Sequence, residues 1–478
     1  MSVAQRNPSQ VPLSAARAKV ELRATLKLAA PLVLGQLSAI GMNVIDVMLA
    51  GHYNAATLAA VAVGTNIWSL MLVAALGVML ALPPSVAQLA GAGERANIGA
   101  LFRQALWMAL GFGIVLLLAT RHADPLLRVL GVDAAIVDDT QKFLRAISWG
   151  APALTGYFAL RGLSEGVGLT RPTMYFGFLG LVLLGPIGYA LMYGAFGLLP
   201  RGAEGSGMAT AIVLWLQLIA FGSYVLLRRH YRVYAPFARF DPPQWQAIGG
   251  LLRLSVPMGV ALLMEAGLFV SAALLISTLG ATTVDSHQIA INVASITFMF
   301  PLGLAIATTV RVGRAVGAGD ADAVRYAGFV GIGASLATQL VSSAAMALFP
   351  HAIVALYTHD ADVAGLAASL LLFAAVFQFS DGIQVTANGA LRGLKDTTLP
   401  MLFTALAYWG IGMPLGYVLA FRLGFGAYGM WIGLIAGLTA AAALLLARFV
   451  RLTRPGRAHA PAPAVVGSAL RACEDEQG

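Results

Sequence analysis

Charge is what this sequence has least of. Of its 478 residues, 11% are Asp, Glu, Lys or Arg, against about 25% in an ordinary soluble domain. Apolar residues make up 59%, so too few polar side chains exist to cover a water-exposed surface of this size. This excludes an ordinary soluble enzyme, a disordered chain and a DNA-binding domain, and leaves lipid as the natural solvent. Cysteine is nearly absent as well. The single one, Cys473, sits in a polar tail, so no intramolecular disulfide can form. The first 27 residues are polar and basic; they hold no early apolar core before a small-residue cleavage site, so no cleavable signal is expected. A GxxxxGK[ST] run does not occur, so ATP is not the evident energy source. No Cys/His cluster has metal-ligand spacing, and no nucleophile constellation points to an enzyme.

What the chain does have is long uncharged runs. Residues 58–93, 172–200, 205–227, 266–284, 286–310, 326–359, 397–421 and 423–447 contain no Asp, Glu, Lys or Arg. A spanning helix needs about 20 mostly apolar residues. Splitting the chain at its Gly, Pro and charge clusters predicts twelve spans, near 25–50, 57–82, 98–120, 141–163, 172–196, 205–228, 247–276, 283–308, 322–348, 364–391, 397–421 and 425–448. A transmembrane β-barrel would show alternating segments of about 10 residues instead. The expectation is an all-α integral membrane protein.

Twelve spans put both termini on one side. With that side cytoplasmic, 24 of the 30 Lys and Arg residues face inward, and six face outward: Arg121, Arg128, Lys142, Arg145, Arg201 and Arg422. This asymmetry follows the positive-inside rule. It accounts for the net charge of +9 without a nucleic acid. Arg228, Arg229, Arg232 and Arg239 form the densest inward cluster; contact with anionic lipid headgroups is a second use for them.

The chain also repeats itself. At a shift of 226 residues, Leu26, Leu28 and Pro31 match Leu252, Leu254 and Pro257. Gly77 matches Gly303, and Gly91-Ala92-Gly93 matches Gly317-Ala318-Gly319. At a shift of 228, Pro186-Ile187-Gly188-Tyr189 matches Pro414-Leu415-Gly416-Tyr417. Each repeat holds six spans, an even number, so the two halves enter the membrane in the same orientation. The expected division is an N-terminal cytoplasmic segment (1–24), a six-helix bundle (25–228), a cytoplasmic linker (229–246), a second six-helix bundle (247–452) and a cytoplasmic tail (453–478).

Three acids fall inside predicted spans: Asp46, Glu265 and Asp381. Insertion scales put a central Asp at roughly 2.5–3.5 kcal/mol. With no Lys or Arg read at similar depth, Glu265 and Asp381 must be protonated, hydrogen-bonded or bound to a cation. Gln378, Asp381, Gln384 and Asn388 are spaced to line one helical face, as are Gln288, Asn292 and Ser295. Oxygen-rich stripes beside two carboxylates suit a proton or a hard monovalent cation; hydrogen bonding between helices is the competing use. Asp46 shares a face with Gln36 and Asn43, as a vestibule or interfacial acid. His287 opens span eight near the outer boundary, as a rim or structural residue. Met258, Met264, Phe269, Met299 and Phe300 suit a loosely specific apolar ligand or ordinary packing. Pro186, Pro257, Pro301 and Pro414 give bendable points, with Pro257 and Pro301 as candidate gating positions.

Six segments carry a family resemblance: VIDVMLAGHYNAATLAAVAVG (44–64), QLAGAG (88–93), SHQIAIN (286–292), RVGRAVG (311–317), LRGLKDT (391–397) and YWGIGMPLGY (408–417). Together they resemble the multidrug and toxin extrusion (MATE) transporters, in their NorM-type bacterial branch. The resemblance implies a multi-pass protein of the bacterial inner membrane that exports small cationic, amphipathic drugs or dyes in exchange for Na⁺ or H⁺, without a cofactor and as a monomer. It implies a coupling-cation site at Glu265 and Asp381, and a cavity role for Asp46. Two departures stand out. Gly185-Pro186-Ile187-Gly188 replaces the Asn residues that many relatives carry there, and Phe377 stands where some have Tyr. A flippase for a lipid-linked saccharide is the alternative within the wider superfamily. It wants a cationic cavity. A channel is disfavoured by the two-half repeat.

Overall fold

The computed structural model describes residues 15–129 and 132–454. Residues 1–14 of the N-terminal segment and the tail beyond Arg454, including Cys473, lie outside them. The described chain is helical and holds no strand. Its first half runs through α1 (Ala15–Tyr53), α2 (Ala55–Met79), α3 (Leu82–Gly91), α4 (Arg95–Arg121), α5 (Asp124–Val129), α6 (Ala134–Ser148), α7 (Ala151–Gly166), α8 (Arg171–Tyr193), α9 (Gly202–Leu227) and the single turn α10 (Arg229–Arg232). The second half has α11 (Trp245–Ser277), α12 (Ala281–Gly317), α13 (Ala321–Leu348), α14 (Pro350–Val354), α15 (Ala361–Gly393), α16 (Thr398–Ala405), α17 (Met413–Tyr417) and α18 (Gly426–Leu452). Turns of π-helix, Leu406–Gly412 and Val418–Arg422, flank α17.

Side chains mark several helix starts. Asn54 accepts from the Thr57 amide at 2.7 Å, Asp133 from Ala135 at 3.0 Å, and Asp320 from Ala323 at 2.8 Å. Asp360 opens α15 by accepting from both Asp362 and Val363. Each such cap stabilises its helix by about 1 kcal/mol.

Eleven stretches among the described residues are long and apolar enough to cross a bilayer. The expected span at 141–163 is instead built from α6 and α7, 15 and 16 residues long. Pro152 stands in the first turn of α7, where its missing N–H is tolerated and a preceding helix cannot continue. The α6 part is too charged for a simple span. Lys142 pairs with Asp138 at 2.5 Å on its exposed side, while Phe143, Leu144 and Ile147 are buried.

The chain forms two compact units, and their boundaries cut through helices. Among the described residues, one takes the chain from Met264 to Arg454 together with the chain from Ala15 to Val33; the other is formed by Leu34–Leu263. The first part of α1 therefore packs with the C-terminal unit, and the first part of α11 with the N-terminal one. Pro31 and Pro257, matched by the repeat, lie shortly before these crossing points. Small residues make both exchanges possible. In the N-terminal unit, a Cβ on Gly77 of α2 would come within 2.7 Å of the Gly259 Cα of α11. In the C-terminal unit, a Cβ on Gly303 of α12 would strike Val33 of α1. Gly77 and Gly303 are themselves a repeat pair, so the same close approach is used twice.

Within the N-terminal unit, the linker is tied to α4. Arg103 donates to Asp241 at 2.5 Å and to the Ala235 carbonyl at 2.9 Å. Gln104 donates to the Pro242 carbonyl and accepts from the Gln244 amide, and the Trp107 indole donates to the Asp241 carbonyl. Residues outside the apolar runs are thus held by polar contacts to the bundle, as a segment without a core of its own requires.

Candidate functional site

The C-terminal unit buries a polar cluster on α15. Asp381 is 4% exposed, Gln384 1% and Asn388 7%. Helical spacing puts them on one face, and the series continues four residues on to Arg392. Glu265, partly buried on α11, lies within the electrostatic reach of both Asp381 and Arg392. Tyr408, fully buried in the first π-helical turn, shares the field of Glu265, Asp381 and Arg392. A π turn adds a residue to the helix and shifts the side chains that follow it, a distortion common at functional sites.

Several polar atoms in this cluster are unsatisfied. Gln384 interacts with Glu265 and Tyr408, although neither its amide nitrogen nor its oxygen reaches full hydrogen-bond geometry among the described residues. The Tyr408 hydroxyl and Arg392 Nε are also buried without a hydrogen-bond partner among the described residues. An unmade bond at a buried polar group costs about 1–3 kcal/mol. Two carboxylates, a carboxamide and a phenol therefore offer oxygen atoms to a small cation or a proton.

Gln378 has a different part. It is fully buried, accepts from Gln339 of α13 and donates to Thr297 of α12. Its carboxamide is spent on joining three helices. Phe377, on the neighbouring face, is packed edge-on to Trp431 and Phe269, each with ring centres 6.0 Å away. Tyr408 places a phenol in the cluster, where Phe377 has none to offer.

The other stripe separates from this cluster. Gln288, Asn292 and Ser295 lie on the exposed side of α12, and Asn292 accepts from Tyr357 at 3.0 Å. His287 points the opposite way. It is 2% exposed and lies edge-on to Trp431, with its Nδ1 unpartnered among the described residues. Pro301 is buried in α12 and Pro257 partly buried in α11.

In the N-terminal unit, Asp46 is buried and accepts from Ser206 at 3.3 Å and Thr210 at 3.4 Å, both on α9. Asn43 of the same helix is exposed. No Asn side chain from the Pro186 region reaches Asp46 among the described contacts; two hydroxyls do that work.

Sequence reasoning missed three features. Arg392 was counted with the loop charges, although its spacing from Asp381 continues the polar face. Tyr408 left no periodic signal, because a π turn breaks the helical register. The third is an ion pair in α7, where Arg161 donates to Glu165 at 2.6 Å and to Gln36 of α1 at 2.9 Å. Its signal was the four-residue spacing of opposite charges.

An all-helical chain with repeated halves and a buried acid cluster between its spans defines a multi-pass membrane transporter. The MatE family model matches residues 31–190 and 257–418, one block in each repeat. The chain is 50% identical over 454 residues to a probable multidrug resistance protein NorM of Xanthomonas campestris pv. campestris, covering 95% of this chain and 98% of that protein. It is 41% identical over 454 residues to multidrug resistance protein PmpM of Pseudomonas aeruginosa, covering 94% and 95%. The crystal structure of the eukaryotic MATE transporter AtDTX14 has the same fold, with a TM-score of 0.83 at 19% identity over 96% of this chain and 99% of that one. The chain belongs to the MatE family.

Proposed function

We propose that this protein is a cation-coupled multidrug antiporter that exports cationic amphipathic compounds by alternating access. The observation that carries this reading is the polar face of α15, where Asp381 and Gln384 are buried and the Gln384 carboxamide and the Tyr408 hydroxyl lack hydrogen-bond partners among the described residues. The relatives named for multidrug resistance support the substrate class. Na⁺ or H⁺ would neutralise the acids in one state of the cycle, and release of that ion would leave a negative site attractive to a cationic drug. Binding linkage makes the effect mutual: a cation that weakens drug binding is weakened by drug to the same factor, commonly 5–150-fold. The positive-inside asymmetry supports an inner-membrane location with both termini cytoplasmic. A saccharide-lipid flippase would need a cationic cavity, and one Arg392 against two carboxylates does not supply it.

Ethidium efflux from membrane vesicles, with Na⁺ and pH gradients imposed separately, tests the proposal. Efflux should follow one gradient. Efflux indifferent to both would remove the antiport mechanism.

A further inference from the structure

The chain leaves one apolar span at Leu227 and enters the next at Trp245. Between them stand four arginines, Arg228, Arg229, Arg232 and Arg239, against a single acid, Asp241. That acid is already spent: it pairs with Arg103 of α4 at 2.5 Å and with Arg239 at 2.8 Å. Arg228 lies over the ring of Tyr224, and Arg229 and Arg232 are exposed without an ion-pair partner among the described residues. The segment is also built onto the bundle. Tyr231 is buried and shares a hydrogen bond with Ser164 of α7 at 2.7 Å. Ala235 holds a left-handed backbone (φ 46°), which a residue other than glycine keeps only where its surroundings fix it. Here a Cβ on Gly99 of α4 would strike the Tyr234 carbonyl, and Arg103 donates to the Ala235 carbonyl. The Ala235 amide in turn donates to the Arg232 carbonyl at 3.1 Å. Arg103 therefore gathers the turn that carries the arginines and the turn at Asp241 onto one side chain.

The same turns hold apolar rings outward. Phe240 stands edge-on to Trp107 of α4 and is nonetheless 80% exposed; Trp245, at the mouth of the next span, is 79% exposed. Sidedness in the membrane asks only for positive charge on this segment. It does not ask that the charges be fixed in place beside exposed rings. We propose that this ledge is a binding site for an anionic phospholipid of the leaflet it borders. Arg228, Arg229 and Arg232 take the headgroup phosphate, which guanidinium forks match in shape and charge. Phe240 and Trp245 take the glycerol and upper chains, the depth at which amphipathic rings settle. Charge complementarity selects this occupant over a zwitterionic lipid, whose own ammonium offsets its phosphate. The rings select it over a free anion, which would leave them in water. The site lies wholly in the N-terminal unit and is independent of the acids of α15.

The test reconstitutes the full-length protein in phosphatidylcholine vesicles that hold a minor fraction of phosphatidylglycerol. Brominated chains, which quench a nearby indole, are placed on that phosphatidylglycerol or on an equal fraction of the phosphatidylcholine. The Trp245 signal is the difference between wild type and Trp245→Phe. Brominated phosphatidylglycerol should quench it more strongly, and the preference should fall about fivefold for each arginine charge removed. Arg229→Gln/Arg232→Gln should therefore lose most of it, and Arg229→Lys/Arg232→Lys, which keeps the charge, should retain most of it. In wild type the preference should shrink at about 1 M NaCl, where the Debye length is about 3 Å. Inorganic phosphate at matched ionic strength should do no more than NaCl. Equal quenching by the two lipids overturns the proposal, as does a preference that survives in the Gln variant. A preference lost equally in the Lys and Gln variants assigns these arginines to the fold and overturns it too. Displacement by phosphate beyond the effect of salt would make the ledge a site for free anions instead. If the variants do not fold, the salt series decides: a preference that salt leaves unmoved is not held by the arginines.

Discussion

Arg311 grips Glu21 with two parallel bonds, Nε to Oε1 at 2.6 Å and an Nη to Oε2 at 2.5 Å. Glu21 is 8% exposed, so this is a largely buried, two-pronged pair that fastens the first turns of α1 to the end of α12. Arg17 adds a second contact between the same regions, to Asp320 at 3.2 Å and over the ring of Tyr326. The beginning of α1 is thereby held in the C-terminal unit, although it comes first in the chain.

Removing one partner should loosen that hold. Arg311→Ala leaves a buried carboxylate unpaired, a loss of about 3–5 kcal/mol for a fully buried pair and less here, where Arg311 is partly exposed. The check is thermal unfolding of the detergent-purified protein. The swap Glu21→Arg with Arg311→Glu should recover part of the loss, and a swap no better than the single change would show that packing, not charge, anchors α1.

Asp381→Asn should reduce gradient-driven ethidium efflux to the level of empty vesicles while leaving insertion and yield unchanged. Among the described residues, Asp381 has no hydrogen-bonded hydroxyl partner of the kind Asp46 has in Ser206 and Thr210. Asp46→Asn, whose amide can keep those two neighbours, should retain more activity. Equal loss in both variants would put the two acids on the same footing.

Glu265→Gln should flatten the response of ethidium affinity to the coupling cation. An amide neither takes up a proton nor attracts Na⁺ as a carboxylate does. In wild type, saturating Na⁺ or acidification should release bound dye by roughly 5–150-fold in affinity. Fluorescence polarisation of the dye gives the measurement, and a variant as responsive as wild type would take Glu265 out of the coupling site.

Lys395 lies in the turn after α15, with a left-handed backbone (φ 57°), and burial pulls its ammonium down to about 8. Its neutral, nucleophilic form therefore gains population as the pH rises through about 8. Exposed Lys142 is shifted upward, first by its bond to Asp138. Acylation followed by peptide mapping should show Lys395 modified with a midpoint near its lowered value and Lys142 only at higher pH. The reverse order would mean that water reaches Lys395 freely.

Cys473 should resist a membrane-impermeant thiol reagent added to intact cells and react once the cells are opened. This is the sidedness expected from the proposed topology, which puts the excess of Lys and Arg inside. Labelling from outside would invert the topology.

Much of this protein is written in composition and spacing. Uncharged runs of helical length leave the backbone no option in lipid except to satisfy its own hydrogen bonds, which is why the helices could be placed from the chain alone. The repeat was legible for a related reason: Gly77 and Gly303 each meet another helix too closely for a side chain, so both halves keep glycine at the same register. The face carrying Asp381, Gln384 and Asn388 followed from helical periodicity. What periodicity could not supply was contact between distant segments. Only the folded chain sets Glu265 within the electrostatic reach of α15, lets a π turn deliver Tyr408 to the same cluster, spends Gln378 on Gln339 and Thr297, and turns Gln288 and Asn292 to the exposed side of α12. It also exchanges the first parts of α1 and α11 between the two units. Spacing along one helix is a local property, whereas the electrostatics of a buried site depend on distances across several helices, and tertiary packing alone sets those.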